Sequence, residues 1–330
     1  MQQRTAHIPG KLMLSGEYAV LDGAPAILAC VDPIARATGA FGGQSGGRLL
    51  VLADHELEFE WRWTKDQLHW STPTPPALVD AMLRAIPDRS LQSLRVDSRE
   101  LFVGNRKLGL GSSAAVAVAI GAVLAGDLSS ETVARIDGAH RCFQGGVGSG
   151  ADIHAVATGG VVRFQPDENT VALSLPSDLF MQPVIAPRSV STPDRIGRYR
   201  LWQQSPSAAP LCERLCALAR QVAEDWMKAS ASEILSGMRS YLGIMSEVSK
   251  TAELEYLSGG HAQLLGPAEQ SGIVYKPCGA GGGDIGIALA DDPEALNRFG
   301  SVALEMGFSV PGWRVGSAGP SGDGVMGATR

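Results

Sequence analysis

The chain has 330 residues, of which 45% are hydrophobic and 19% are charged, and its formal net charge is −6. That composition is typical of a globular protein with a large core, and the length predicts two domains. The acidic balance argues against broad binding to nucleic acids or anionic membranes, because both require a basic face. It does not exclude a small phosphorylated ligand held by a few local cations.

The five cysteines form no CxxC pair, which predicts reduced, mostly buried thiols and no zinc site. The N-terminus lacks the apolar run of a signal peptide. The longest nearly apolar run, residues 114–125, is too short to span a bilayer. We therefore expect a cytoplasmic protein.

The N-terminal segment is predicted to form a turn at Pro9-Gly10 followed by a short apolar strand, with Lys11 at its start. A single lysine is commonly a solvated surface charge. Lys11, however, lies between glycines and precedes Leu-Met-Leu, a setting that also suits a partly buried ammonium near a site. Both interpretations remain open from this segment alone.

Strands dominate the next part of the chain. We predict strands over residues 25–64, a helix over 75–86 after two prolines, and a strand over 94–103. Within the first of these ranges, residues 56–63 alternate between apolar and charged side chains, which indicates a half-buried antiparallel strand.

The segment Gly109-Leu110-Gly111-Ser112-Ser113-Ala114 opens an apolar, alanine-rich helix that ends near Gly126. Glycines allow the backbone to approach a ligand closely, and the two serines are good N-cap residues. The unsatisfied N–H groups and positive dipole end of such a helix suit a phosphate group. An ordinary glycine turn before a buried helix is the structural alternative.

A second helix is predicted over residues 130–144, where His140 fits a hydrogen-bonded, half-buried histidine better than a metal ligand. A glycine-rich segment then brings Asp152 to the start of another short helix. Asp152 can be an N-cap residue, or it can be a carboxylate aimed into the same cleft as the phosphate loop.

The second half of the chain turns more helical. We expect strands at 161–164, 171–175 and 182–185, and a loop over 187–200 that contains Ser191 and four arginines. Helices follow at 208–223 and 232–256, the latter interrupted at Gly237 and Gly243. A strand, glycine-rich turn and strand occupy 272–289, a helix begins after Asp292, and residues 316–330 are expected to fray.

Three glycine-rich loops occur with no Walker A sequence and no GxGxxG motif opening a βαβ unit, which favours a kinase of neither the P-loop nor the protein-kinase type. The three loops, in this order, resemble the motifs of the GHMP small-molecule kinases. The matching segments are Pro9-Gly10-Lys11 with Gly16-Glu17-Tyr18-Ala19-Val20, Gly109-Leu110-Gly111-Ser112-Ser113-Ala114, and Lys276 with Gly279-Ala280-Gly281-Gly282-Gly283-Asp284.

Within that family the chain is most similar to the phosphomevalonate kinases. The second motif follows Asn105-Arg106-Lys107-Leu108, where mevalonate kinases usually carry a proline-led segment, and the residues before Asp152 resemble the phosphomevalonate kinase version. Asp284 follows three glycines, where mevalonate kinases tend to have a fourth, and Ser191-Thr192 resembles a Ser-Thr pair of phosphomevalonate kinases.

The resemblance implies an α+β protein with the two-domain GHMP kinase fold. A mixed α/β ATP-binding domain would cover residues 1–183, and a ferredoxin-like α+β domain would cover residues 184–330, with the active site between them. The implied reaction transfers the γ-phosphoryl group of ATP to 5-phosphomevalonate, giving 5-diphosphomevalonate and ADP.

The resemblance also implies site residues. Lys11 and Asp152 are the expected catalytic pair, and Ser113 is the expected ligand of Mg²⁺. The nucleotide would contact Lys107, Gly109, Leu110, Gly111, Ser112, Ser113, Ala114, Gly279, Ala280, Gly281 and Gly282. The acceptor would contact Lys11, Tyr18, Ser149, Gly150, Asp152, Ser191 and Gly281.

One residue departs from the mevalonate kinase pattern. Those enzymes carry a helix glutamate as a second metal ligand 11 residues before the aspartate, and that position is Arg141 here. The metal shell is therefore expected to be thinner.

Other interpretations remain open at this point. The chain could be a mevalonate kinase or another GHMP small-molecule kinase, or a catalytically silent GHMP-like ligand sensor. Loss of the lysine or the aspartate would favour the sensor, and both are present. ATP and 5-phosphomevalonate are the expected partners, with no nucleic acid or membrane, in a monomer or homodimer.

Overall fold

The computed structural model describes residues 2–42, 45–146, 148–187, 195–228, 230–316 and 319–323. The chain divides into two compact units. The first comprises Met1–Lys11, Cys30–Gly159 and Ser317–Arg330, and the second comprises Leu12–Ala29 and Gly160–Gly316. These borders differ from the division at residue 183 that the resemblance implies, which stays a prediction.

The first unit contains a sheet in which β2 pairs antiparallel with β6, β6 runs parallel to β3, and β3, β4 and β5 are antiparallel neighbours. Both unit borders near the N-terminus fall inside β1 and β2. The strands are β1 (Gln2–Ser15), β2 (Ala26–Phe41), β3 (Gly46–Leu52), β4 (Glu56–Thr64), β5 (Gln67–Trp70), β6 (Leu91–Asp97), and the short hairpin β7 (Phe102–Val103) and β8 (Arg106–Lys107).

The helices of the first unit pack around its apolar helix α2, which is buried on nearly all sides because its residues are apolar on every face. Ser129 caps α3 by accepting a hydrogen bond from the N–H of Thr132. The helices are α1 (Ala77–Ala85), α2 (Ser112–Ala125), α3 (Ser130–Phe143) and α4 (Ala151–Thr158).

The second unit has an antiparallel sheet in the order β11-β13-β12, and its buried side chains pack against α8 and α9. Residues Ala26–Ala29 of β2 pair with β9, which also pairs with β10. The strands are β9 (Val161–Phe164), β10 (Val171–Leu173), β11 (Phe180–Ile185), β12 (Val274–Pro277) and β13 (Ile285–Ala290). The helices are α5 (Arg195–Gln203), α6 (Ala209–Lys228), α7 (Ala231–Thr251), α8 (His261–Gln270) and α9 (Pro293–Glu305).

Two strand predictions near the expected motifs were wrong. The backbone does not turn at Pro9-Gly10, because β1 runs through both residues and leaves Lys11 inside the strand. The predicted strand over 94–103 ends at Asp97. A 3-10 turn and the β7–β8 hairpin follow, so a compact turn leads into the glycine-rich loop.

Two predictions about helices were also wrong. Helix α7 continues through Gly237 and Gly243, since packing of its apolar face outweighs the weak helix propensity of glycine. At Gly237 the small residue allows close approach to α6, because a Cβ there would lie 2.7 Å from Oδ2 of Asp225. The expected loop over 187–200 contains the start of α5 at Arg195, and residues 188–194, including Ser191, lie outside the described residues.

No disulfide joins the cysteines in the part of the chain that the structure describes. Only Cys30 and Cys216 are buried, so the expectation of mostly buried thiols was wrong. The C-terminal segment was expected to fray, yet Ser321 forms a β-bridge with His7. Across the described part of the chain, helices that combine the length and the apolar character needed to cross a bilayer are absent.

Candidate active site

The glycine-rich loop of the first unit leaves the start of α2 open. Gly109 and Gly111 adopt left-handed backbone conformations, with φ of 72° and 70°. Gly111 is the N-cap residue of α2, and no side chain among the described residues caps this helix. The prediction that Ser112 or Ser113 caps the helix was therefore wrong. The first N–H groups of α2 therefore face outward with the positive end of the helix dipole, an arrangement suited to a phosphate group.

Lys11 lies directly against this loop. Its backbone N–H donates to the carbonyl oxygen of Leu110 at 2.9 Å. Its side chain crosses Gly111 so closely that a Cβ at that position would lie 2.6 Å from Cε of Lys11. Lys11 is only 7% exposed. The structure therefore supports the buried-ammonium interpretation over a solvated surface lysine.

Asp152 pairs with the buried ammonium, since Nζ of Lys11 lies 3.0 Å from Oδ1 of Asp152. Gly150, with φ of 84°, is the N-cap of α4, which leaves Asp152 in the first turn and not in the capping position. The side chain of Asp152 is 35% exposed, so its carboxylate contacts Lys11 and also remains open to solvent.

An ion pair on α3 supports the segment that leads to Asp152. Nε of Arg141 lies 2.8 Å from Oδ2 of Asp137, and Nη2 of Arg141 donates to the carbonyl oxygen of Ser149 at 2.9 Å. A Cβ at Gly150 would lie 2.7 Å from Oδ1 of Asp137, so this close approach requires glycine. Arg141, at the position where mevalonate kinases carry a metal-binding glutamate, instead contacts Ser149 and Asp137.

His140 contacts the expected metal-binding serine. Its Nε2 lies 3.1 Å from Oγ of Ser113. Burial lowers the pKa of His140, and the nearby charges of Asp152 and Asp137 oppose that shift only in part. A neutral imidazole results, whose Nε2 can accept a hydrogen bond from the hydroxyl of Ser113. The sequence identified a hydrogen-bonded histidine here but gave no signal for its partner.

The third glycine-rich loop belongs to the second unit and connects β12 to β13. Gly279, Gly281 and Gly282 adopt positive φ values. The hydroxyl of Tyr18 donates to the carbonyl oxygen of Ala280 at 2.7 Å, and burial raises the pKa of Tyr18. Tyr18 is buried, and its hydroxyl contacts a backbone carbonyl of the third glycine-rich loop.

The remaining predicted residues occupy varied surroundings. Lys107 is exposed on β8, and Oγ of Ser149 accepts a hydrogen bond from the N–H of Ala151 at 3.3 Å. Among the loop arginines that the structure describes, only Arg195 is buried, where Nε donates to the carbonyl oxygen of Leu254 at 2.9 Å. Arg198 and Arg200 also bind backbone carbonyls, those of Glu253 and Leu21.

Sequence reasoning missed a second buried lysine. Lys276 and Glu17 form an ion pair inside the second unit, and neither side chain has any exposed surface. Both residues lie within the glycine-rich motifs, but charged residues near such motifs are commonly solvated, so the sequence gave no signal that they pair.

Residues 80–160 match the family described as GHMP kinases N terminal domain. This range contains His140, Asp152 and the glycine-rich loop Gly109-Leu110-Gly111 before α2, here called the α2 loop. The chain is 27% identical to the phosphomevalonate kinase of Streptomyces sp. (strain CL190) over 340 residues, covering 88% of this chain and 91% of that protein.

The chain is similar to the GHMP kinases.

Solved structures share the fold of this protein along nearly its whole length. The Lin0012 protein from Listeria innocua superposes with a TM-score of 0.83 at 19% identity, covering 97% of this chain and 99% of that one. Streptococcus pneumoniae phosphomevalonate kinase, solved with phosphomevalonate and AMPPNP, superposes with a TM-score of 0.76 at 19% identity, covering 94% and 99%. The expected two-domain GHMP kinase fold is confirmed, and the protein is an ATP-dependent small-molecule kinase.

Proposed function

We propose that this kinase phosphorylates 5-phosphomevalonate. A phosphate oxygen of the acceptor attacks the γ-phosphorus of ATP, the bond from that phosphorus to the β–γ bridging oxygen breaks, and 5-diphosphomevalonate and ADP result. The observation that carries the proposal is the buried Lys11 ammonium, held by Asp152 against Gly111 at an open helix N-terminus. The similarity to the curated Streptomyces phosphomevalonate kinase supports this choice of acceptor.

The α2 loop is the proposed site for the ATP phosphates. Backbone N–H groups at the start of α2 would donate to phosphate oxygens, because this terminus has no capping side chain among the described residues. The proposed nucleotide contacts are Lys107, Gly109, Leu110, Gly111, Ser112, Ser113, Ala114, Gly279, Ala280, Gly281 and Gly282.

An acceptor that is already a phosphate requires little help from a general base. Its second pKa is about 6, so it is largely ionised near neutral pH. Repulsion between the acceptor and ATP is the larger barrier, and a buried ammonium is the group that offsets it. Lys11 therefore stabilises the transferring phosphoryl group, and Asp152 holds Lys11 in place. The proposed acceptor contacts are Lys11, Tyr18, Ser149, Gly150, Asp152, Ser191 and Gly281.

The residues around Ser113 fit a magnesium ion that arrives with ATP. Mg²⁺ prefers hard oxygen ligands and is commonly held by one or two protein oxygens together with substrate phosphates. The part of the chain that the structure describes contains no cluster of three His, Cys, Asp or Glu side chains able to form a complete protein cage. Ser113 would be the protein ligand, with its hydroxyl donating a hydrogen bond to His140. When bound, the ion neutralises charge on the β- and γ-phosphates.

The direct test is a coupled assay of ADP release with Mg²⁺ and ATP, run in parallel on 5-phosphomevalonate, mevalonate and galactose. We expect saturable turnover on 5-phosphomevalonate only. Turnover on mevalonate alone would contradict the proposed acceptor and identify a mevalonate kinase. Binding of ATP without turnover on any of the three would instead favour another acceptor or a ligand sensor.

A further inference from the structure

The Glu17–Lys276 ion pair connects the first and third motifs inside the second unit. Nζ of Lys276 donates to Oε1 of Glu17 and to the carbonyl oxygen of Met13, the latter at 3.4 Å. Both charged side chains are completely buried. Lys276 is the third residue of β12, and the third glycine loop begins three residues later at Gly279.

The backbone around Glu17 is fixed by a buried tyrosine of α7. The hydroxyl of Tyr241 accepts a hydrogen bond from the N–H of Gly16 at 3.0 Å and donates to the carbonyl oxygen of Glu17 at 3.1 Å. Gly16 has φ of 93°, and a Cβ there would overlap the backbone of Ala26. The segment that presents Glu17 and Tyr18 therefore has little freedom to move within this unit.

The third glycine loop is held from the other side by Tyr256. The N–H of Gly282 donates to the carbonyl oxygen of Tyr256 at 2.7 Å, and the hydroxyl of Tyr256 donates to the carbonyl oxygen of Pro277 at 2.8 Å. Gly281 lies so close to the ring of Tyr256 that any side chain there would overlap it. Together with the bond from Tyr18 to Ala280, these contacts fix both ends and the middle of the loop.

A completely buried ion pair is weak evidence for stability, because the cost of desolvating both charges offsets their attraction. Apolar residues of similar volume often stabilise a core equally well. What the Glu17–Lys276 pair adds is a directional contact between two specific positions, one beside Tyr18 and one at the entry to the loop.

We propose that Glu17, Tyr18 and Lys276 are positioning residues that hold the loop Gly279–Gly283 in its nucleotide-binding conformation before ATP arrives. The proposal rests on the nucleotide role that the proposed function gives this loop. None of the three residues needs to touch the reacting atoms. A loop ordered in advance binds its ligand more tightly, because the entropy of ordering is not lost on binding. Removal of the Glu17–Lys276 pair should therefore weaken nucleotide binding more than it weakens acceptor binding.

The test measures the Kd of AMPPNP by calorimetry, which requires no turnover, together with Tm. Tyr18→Phe removes only the hydroxyl that binds Ala280 and keeps the ring. We expect its Kd for AMPPNP to rise about 5-fold or more, as loss of one buried hydrogen bond allows. Tyr199→Phe is the matched control. Its ring packs against that of Tyr18, but the buried hydroxyl that it removes donates to Asp22 and not to the loop.

The ion pair is tested by Glu17→Gln and by the double variant Glu17→Gln with Lys276→Met. The double variant leaves no buried charge, so its Tm should exceed that of Glu17→Gln. We expect its Kd for AMPPNP to remain elevated although its stability recovers. A Kd equal to the wild-type value in the double variant, or equal losses in Tyr18→Phe and Tyr199→Phe, would overturn the inference.

Binding to the wild-type protein separates this inference from the proposed function. If the wild-type protein fails to bind AMPPNP, the proposed kinase function is wrong, and the proposed role of the loop is wrong as well. If the wild-type protein binds AMPPNP but uses an acceptor other than 5-phosphomevalonate, only the choice of acceptor is wrong. The comparison of Tyr18→Phe with Tyr199→Phe is then unaffected.

Discussion

The Nζ atom of Lys11 lies 3.0 Å from Oδ1 of Asp152, and the same side chain crosses Gly111 in van der Waals contact with the loop that opens α2. A lysine inside strand β1 and an aspartate in the first turn of α4 thus meet beside an open helix N-terminus. This arrangement presents one buried cation and several backbone N–H groups to an anionic ligand.

Replacing Lys11 with Ala should lower kcat about 10²- to 10³-fold, the usual effect of removing one group that stabilises charge in a transition state. The measurement is steady-state kinetics on 5-phosphomevalonate. Lys228→Ala is the control, since Lys228 is also paired with a carboxylate, that of Glu224, but is exposed. A kcat for Lys11→Ala within threefold of the wild-type value would contradict the role given to this lysine.

Replacing Asp152 with Asn separates positioning from proton abstraction. If Asp152 holds Lys11, kcat should fall about 10- to 100-fold, as misplacement of a reacting group allows, and the pH profile of kcat/KM should keep its shape. The acid limb would then belong to the acceptor phosphate, whose second pKa is about 6. Disappearance of that limb in Asp152→Asn would instead identify Asp152 as the general base.

Gly111→Ala should abolish most activity, because the residue has φ of 70° and its new methyl group would press against Cε of Lys11. Gly138→Ala is the matched control. Gly138 lies in the middle of α3, and a Cβ there would meet nothing within 4 Å. That variant should keep its activity and gain up to about 1 kcal/mol of stability from helix propensity. Equal activity of the two variants would contradict the geometry of the loop.

Local patterns predicted the elements that carry the candidate site. Capping signals predicted where α3 and α9 begin. Ser129 and Asp292 are the N-cap residues of these helices, and both accept hydrogen bonds from backbone N–H groups of the first turn. Glycine spacing identified the loop before α2 and the turn between β12 and β13. These features depend on interactions within a few residues, which a sequence pattern records directly.

Contacts between distant residues were beyond prediction from the sequence alone. The pairs His140–Ser113 and Glu17–Lys276 join residues 27 and 259 positions apart. Composition and periodicity carry no signal for such partners, because the partner is set by how the elements pack. Tertiary packing also explains why α7 is uninterrupted and why a strand runs through Pro9-Gly10. Local propensities favoured a helix break at the glycines of α7 and a turn at Pro9-Gly10.

Stability should depend on pH through His261, a completely buried histidine of α8. Its Nε2 lies 3.1 Å from the carbonyl oxygen of Gly283 and must donate, so Nδ1 accepts from the hydroxyl of Tyr275. Burial lowers the pKa of His261, so as the pH falls through about 6.5 the unfolded chain takes up a proton that the folded chain resists. The contribution of His261 to stability is therefore present above that range and lost below it.

Urea unfolding at pH 7.5 and pH 5.5 measures this effect. His261→Gln should be less stable than the wild-type protein at pH 7.5 but should lose less stability on acidification. The exposed His69, changed to Gln, serves as the control and should follow the wild-type protein at both pH values. An identical loss on acidification in His261→Gln and the wild-type protein would show that His261 is not the titrating group.

Whether the acceptor of the phosphoryl group is itself a phosphate is seen most directly by ³¹P NMR of the reaction mixture. With Mg²⁺, ATP and 5-phosphomevalonate, we expect the phosphomonoester signal to be replaced by two coupled diphosphate signals in step with the appearance of ADP. The opposite result would be a phosphomonoester signal that persists with 5-phosphomevalonate, together with a new phosphomonoester signal when mevalonate is supplied as the acceptor. That result would show that the acceptor is an alcohol and not a phosphate.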